Sequence, residues 1–428
     1  MECHIEVFFD DQWHAAASVS FSDIVRNGFR GTDCVFEYDL DFAFGQSREP
    51  VSLVWPVDIA RHQREDWPAF LYDLIPQGNG RQFLLGELNF ADSQAADVPL
   101  LCAGAFNSIG RLRIREAVEY YRHHVKRHDL PVDGFAFDEL LERAPDFHET
   151  MMVHGMLAAG GTGVQGVAPK YLLTEADDGQ WYPDAALADR RARGHYIVKR
   201  PRGTTEADRK VLRNEAPYME VARQLGLRVF QVPKLHGDML FIPRFDRQCE
   251  GGKVRRFHQE SAASLAGLVG FGGLTDQFAL LKSIRAVVDD PLRETVEFIF
   301  RDILNLAMRN TDNHARNTAV QTVGGLTQLT PLFDFAPMYL DPEGIARAAR
   351  WYRPGSRAEL KQWADILPHL GLSATEAGFL VDAMIGFGKK LRKLPEMMLA
   401  AGVDLDMVDF LMPSIKTQET QLTDLRRV

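Results

Sequence analysis

The sequence predicts an α+β protein. In sequence order, a small, mostly β N-terminal subdomain spans 1–110, a mixed α/β region 111–254, and an α-rich C-terminal lobe 255–428. Three observations carry that expectation. HIEVFFDD and CVFEYDLDFAF near the N-terminus read as strands, the first closed by acidic turn residues and the second by its alternation. From Arg113 the pattern turns helical through REAVEYYRHHVKRH, FDELLERA and HETMMVHGMLAA. Beyond Phe257 helical periodicity dominates, except around TAVQTV and LTQLTPLFDF.

The elements follow in order. WPAFLYDLIPQGNGRQFLLGEL gives an apolar helical face, a Pro/Gly/Asn breaker and a second helix. A boundary falls near Asn107 to Gly110. Gly160, Gly161, Gly163 and Gly166 precede PKYLL, which reads as a strand, and HYIVKRP supplies another strand carrying Lys199. NEAPYMEVARQLG reads as a capped helix, with Asn214 as N-cap, Pro217 in the tolerant first turn and Gly226 at the stop. VFQVPKL and DMLFIPRFDR read as strands, and RRFHQES most simply starts a helix.

Composition narrows the function. A chain of 428 residues suits two to three domains, and its 46% hydrophobic and 25% charged residues are ordinary for a globular protein. A formal net charge of −10 disfavours direct nucleic-acid binding, which needs clustered cations on phosphates. Arg190, Arg191 and Arg193 lie among acidic neighbours and read as a solvated loop. Cys3, Cys34, Cys102 and Cys249 show no paired or metal-ligand spacing and fit a reducing compartment. No signal peptide is evident, and no apolar run approaches the roughly 18–20 residues needed to span a bilayer. The expected location is the cytoplasm, without membrane contact.

The most telling stretch is NTDNHARN, Asn310 to Asn317, followed by LTPLFDF with Asp334 on an expected strand end. Asp312 and Asn317 have the spacing of a phosphoryl-transfer loop: one carboxylate for the acceptor hydroxyl, then an amide and a further carboxylate for metal ions. Oxygen ligands suit Mg²⁺, and an ionised carboxylate can take a proton. Turn-and-cap residues are the bland alternative, but the downstream Asp334 and the upstream Lys199 favour chemistry. His314 either orients this loop or acts at the ATP site, the structural role being preferred. Lys199 suits phosphate oxygens or simply faces water. Glu215 either holds that lysine or complements a helix dipole. The glycine-rich stretch fits a hairpin over a nucleotide or a linker, and it lacks a Walker pattern. Lys170 reaches phosphate or solvent. RFDR, Arg244 to Arg247, sits where an adenine-binding hinge would lie, or is a strand end with a salt-bridged Asp246. His258 and Glu260 lack a third ligand at metal spacing, which argues against zinc there.

These segments together resemble the HipA-like serine/threonine kinases, toxins of bacterial persistence toxin–antitoxin modules. FEYD, PVSLVWP and LIPQGNGR resemble the family's N-terminal subdomain. GVQGVAPKYLL, YIVKRP, NEAPYMEVARQLGL, RFDR, FHQE, NTDNHARN and LTPLFD resemble its kinase core, in the same order. The resemblance implies a protein-kinase-like bilobal core that uses ATP and Mg²⁺. It implies that Asp312 is catalytic and that Asn317 and Asp334 hold the metal. Lys199 would lie on the ATP phosphates, with Gly163, Gly166 and Lys170 beside them, and Phe245 next to adenine. It further implies a protein substrate, such as an aminoacyl-tRNA synthetase, and a helix-turn-helix antitoxin through which DNA is reached indirectly. Where the family carries an autophosphorylated loop serine, this chain has Gly163, with Thr162 the nearest hydroxyl. Loop autophosphorylation is therefore either absent or moved to Thr162.

Overall fold

The computed structural model describes residues 1–22, 33–45, 49–128, 133–142, 150–151, 154 and 170–425. Contacts divide the chain into two compact units. One comprises Met1–Arg202, Phe241–Phe271 and Gln321–Val323; the other comprises Gly203–Leu240, Gly272–Val320 and Gly324–Val428. The fold class is α+β, with an N-terminal sheet and a helical C-terminal part, as expected.

In the first unit, β1 (Glu2–Phe9) and β2 (Gln12–Phe21) form a hairpin closed by Asp10 and Asp11. Both aspartates have positive φ, 49° and 62°, as a two-residue primed turn requires. With β3 (Cys34–Tyr38), β4 (His62–Arg64) and β5 (Leu112–Ile114) they make a sheet ordered β4-β3-β2-β1-β5. Alternation buries Cys3, Ile5 and Val7 of β1 and Cys34, Phe36 and Tyr38 of β3. That face shares a core with residues of α1 (Gly78–Leu88), α2 (Asp97–Gly104) and α3 (Arg115–His128), among them Leu84, Leu100, Leu101 and Ala117. The strand expected over CVFEYDLDFAF stops at Tyr38. The Asp39 carboxylate there accepts from the Asp41 and Phe42 amides and starts a short helix, Leu40–Phe44.

A second sheet runs through β6 (Lys170–Ala176), β7 (Trp181–Pro183), β8 (Ala192–Lys199) and β9 (Met239–Pro243), in the order β7-β6-β8-β9. Then come the β10/β11 hairpin (Arg247–Glu250 and Lys253–Arg256) and β12 (His258–Ser261). The helix expected to start within RRFHQES begins only after it, at Ala262, where Ser261 Oγ accepts from the Ser264 amide. Extended backbone here delivers Glu260 into the interior. Its carboxylate accepts from Ser52 Oγ at 2.7 Å, the Leu53 amide at 2.8 Å and Ser264 Oγ at 2.6 Å.

RFDR is also part of this interior. Arg244 donates to Asp246 at 2.6 Å and to Asp184 at 3.0 Å, while Arg247 donates to Asp184 at 2.8 Å. Asp246 further accepts from the Gly110 amide at 2.8 Å. Burial alone would raise Asp246, yet the charge and hydrogen bonds of Arg244 outweigh it and hold its pKa at about 2. Asp184 follows the same balance. Arg247, His195 and Arg244 keep it well below the ordinary carboxylate range despite full burial.

The second unit is mostly helical. Its longer helices are α4 (Glu206–Leu225), α5 (Gln277–Arg285), α6 (Pro291–Ala307), α7 (Ala374–Leu391), α8 (Leu394–Ala401) and α9 (Leu405–Thr423). The amphipathic α6 packs on α5, α7 and α9, and α4 packs on α8. The expected N-cap of α4, Asn214, is nine residues late: the N-cap is Thr205, in a capping box with Asp208. Asn214 lies inside the helix. Its amide donates to Lys210 O at 2.8 Å, and its carbonyl oxygen accepts from the Asp404 amide at 3.1 Å. Pro217 also lies inside α4, while Gly226 does end it with φ 95°. Of VFQVPKL, only Lys234–His236 includes strand residues. No helix among the described residues is long and apolar enough to cross a membrane.

Candidate active site

The site is built where α6 ends. Met308 O accepts from the buried Tyr218 hydroxyl at 3.1 Å, and Arg309 turns the chain with φ 52°. Residues 310–314 then run without regular structure, and Ala315–Asn317 make a single 3-10 turn. Amide side chains fix this loop, since extended backbone there has few ladder partners. Asn313 donates to Ala349 O at 2.8 Å and accepts from the Ala348 amide at 3.1 Å. Asn310 donates to Asn305 Oδ1 at 3.0 Å and to Asp334 O at 3.4 Å. Asn317 Nδ2 donates to Asp312 O at 2.8 Å, tying the two ends of the D-x-x-x-x-N spacing together.

Asp334 does not sit on a strand end. Regular pairing stops at Leu329, and Pro331 has no amide to continue it. The carbonyl of Thr330 accepts from Arg301 at 2.7 Å, and the Leu332 amide donates to Arg228 O at 2.7 Å. Asp334 then takes a left-handed conformation, φ 50°, which acidic and amide residues tolerate better than most. The next residue, Phe335, is 1% exposed and lies 5.3 Å from the Tyr218 ring. The strained aspartate is thus anchored on a buried aromatic pair.

Asp312, Asn317 and Asp334 line one pocket, together with Asn305, Asn310 and Asn313. With Asp302 and Gln277, three carboxylates and five amides line this concavity beside Arg301, a donor set that suits a hard divalent cation and a charged substrate. The Asn317 amide nitrogen is engaged with Asp312 O, so its carbonyl oxygen is the group left to act as a ligand. With the Asp334 carboxylate it offers the oxygen donors that Mg²⁺ prefers. His314 Nε2 stands 3.6 Å from Asp312 Oδ1, placing a partly exposed imidazole beside that carboxylate.

The remaining expected residues are distributed as follows. Lys199 ends β8, and Lys170 begins β6 directly opposite it in the antiparallel register. Directly opposed residues share one sheet face, so the two lysines, each only 7% exposed, stand on the same side. Periodicity could not reveal that register. Glu215 is buried in the middle of α4, in the unit that holds Asp312. Phe245 is half-buried between β9 and β10, in the unit of the two lysines. Thr162, Gly163 and Gly166, with most of HETMMVHGMLAA, lie outside the described residues. Sequence reasoning missed Asn305 and Asn313 as supports of the loop. The asparagine density of NTDNHARN was a signal for Asn313, and nothing in the sequence marked Asn305.

The model of a HipA-like C-terminal domain matches residues 162–387, and that of a HipA N-terminal domain matches residues 24–115. Among solved structures, the chain is similar to HipA in the complex of the Shewanella oneidensis MR-1 toxin–antitoxin system HipA, HipB and its operator DNA. That match has 17% identity and a TM-score of 0.60, and covers 98% of this chain and 96% of that one. A second, the Helicobacter pylori proinflammatory kinase CtkA, matches at 13% identity with a TM-score of 0.38, over 54% of this chain and 90% of the other. A search of curated proteins returned no match.

Proposed function

The chain belongs to the HipA-like C-terminal domain family, and we propose that it is an ATP- and Mg²⁺-dependent serine/threonine protein kinase of the HipA-like toxin type. The observation that carries this reading is the convergence of Asp312, Asn317 and Asp334 on one pocket. Phosphoryl transfer asks little covalent chemistry of a protein; it asks for positioning and charge neutralisation.

Each residue then has a stated task. Asp312 orients the acceptor hydroxyl and takes its proton on a carboxylate oxygen. Asn317 Oδ1 and the Asp334 carboxylate would hold Mg²⁺, which when bound neutralises phosphate charge. Lys199 and Lys170, opposed on one sheet face, bind phosphate oxygens as fixed cations. Glu215 positions Lys199, and Phe245 packs beside the adenine. His314 holds Asp312 in orientation and lies near the phosphates. Thr162, Gly163 and Gly166 belong to the loop over the nucleotide, with Thr162 as its modifiable hydroxyl.

The partners follow the same reading. The similar Shewanella protein was solved with HipB and operator DNA. We take a helix-turn-helix antitoxin as partner here too, with DNA reached through it. A net charge of −10 supports that division of labour. The acceptor is a protein hydroxyl, on a translation factor such as an aminoacyl-tRNA synthetase, and the site of action is the cytoplasm. The test is incubation of the purified chain with γ-labelled ATP, Mg²⁺ and a bacterial lysate. Label on a discrete polypeptide at serine or threonine is the expected result. Label confined to small molecules would instead make this a metabolite kinase.

A further inference from the structure

Away from that pocket, in the first unit, His124 and His128 lie one turn apart on α3 and face Glu87 near the end of α1. One ligand atom from each of the three lies within 4.8 Å of the other two. His124 Nδ1 is 3.8 Å from Glu87 Oε2, too far for a hydrogen bond. It is close to the roughly 3.4 Å that separates two donors on one tetrahedral ion with bonds of about 2.1 Å. The His124 and His128 rings are 4.6 Å apart between centroids. A second observation points the same way. His124 is 6% exposed, and its Nε2 is buried with no hydrogen-bond partner among the described residues. A buried imidazole nitrogen without a hydrogen bond is costly; coordination at Nε2 would remove that cost, and coordination at Nδ1 would leave it.

We propose that Glu87, His124 and His128 form a divalent-metal site of the zinc class, joining α1 to α3 in the N-terminal part of the molecule. Two imidazoles and one carboxylate suit Zn²⁺, and Co²⁺ as its spectroscopic substitute, far better than the Mg²⁺ proposed for the other pocket. Glu87 and His128 are exposed, so the ion has an entry path and a fourth position for water. The i, i+4 histidine spacing is legible in YYRHHVKRH, but the third ligand comes from a separate helix.

The test is titration of the full-length chain with Zn²⁺, and separately with Co²⁺, in excess Mg²⁺, on wild type and three variants. Wild type should bind one Zn²⁺ per chain and give visible Co²⁺ absorption of a four-coordinate site. His128→Ala, a change at an exposed position, should weaken Zn²⁺ at least tenfold and abolish the Co²⁺ bands, with circular dichroism unchanged. Glu87→Gln should weaken it as well. Asp334→Asn should leave Zn²⁺ affinity as in wild type. Absence of Zn²⁺ binding in wild type would overturn the site. So would an affinity kept in His128→Ala, whether or not it is lost in Asp334→Asn.

Discussion

Asp312 and Asp334 line the same pocket, yet they are held in different ways, and substitution should separate their roles. Asp312 has its main-chain oxygen tied to Asn317, so Asp312→Asn keeps the loop and loses only the proton acceptor. We expect its transfer rate to fall about 10²- to 10⁴-fold with an unchanged melting temperature, measured by labelled-phosphate transfer and circular dichroism. Asp334 is held with φ 50°. Asp334→Asn should abolish transfer while melting like wild type, because asparagine accepts that conformation. Asp334→Ala should lose about 1 kcal/mol more, seen as a lower denaturant midpoint. Equal stability of the two variants would remove the backbone argument. The spacing of Asp312, Asn317 and Asp334 was legible in the sequence because it is local. The left-handed turn at Asp334 was not, since it follows from Pro331 and from contacts to Arg301 and Arg228 far away in the chain.

At the scale of elements, the helix ends carry the clearest lesson. NEAPYMEVARQLG looks like a helix start because it combines an asparagine with an early proline. EADRKVLR before it is equally helical, and the Thr205–Asp208 box sets the true start. Thr205→Ala should therefore cost about 1 kcal/mol by chemical denaturation, whereas a fold starting at Asn214 would not register it. Asn214 was misread because its bonds go to Lys210 and to the distant Asp404 amide. CVFEYDLDFAF and RRFHQES fail for a related reason. A local cap at Asp39 cuts one strand short, and burial of Glu260 against Ser52 imposes a strand on residues with helical character. Elements with strong periodicity, such as REAVEYYRHHVKRH and the first strand with its acidic turn, were legible, whereas the returning strand Gln12–Phe21 was not read.

At the scale of the molecule, two compact units with different interiors should respond differently to acid. The first unit buries Asp184 and Asp246 against Arg244 and Arg247, with both carboxyls depressed in the fold. A depressed carboxyl stabilises the fold above its unfolded pKa, near 3.9, and that contribution is lost as pH falls through the folded value. For Asp246, at about 2, the loss between about pH 4 and pH 2 amounts to about 2 kcal/mol. Asp246→Asn should cost about 3 kcal/mol near pH 6 by removing one of the two carboxylates that hold the buried Arg244, and should flatten the acid limb of the pH–stability curve. An unchanged limb would place the acid sensitivity elsewhere. The α+β class was legible because strand and helix periods segregate along the chain. The two-unit division was not, because each unit gathers segments distant in sequence. The most direct test of the account compares wild type, Asp312→Asn and Asp334→Asn, at matched folding, for transfer of γ-labelled phosphate from ATP in Mg²⁺ to a polypeptide. The account predicts label with wild type, transfer about 10²- to 10⁴-fold slower with Asp312→Asn and none with Asp334→Asn; labelling by either variant equal to wild type would contradict it.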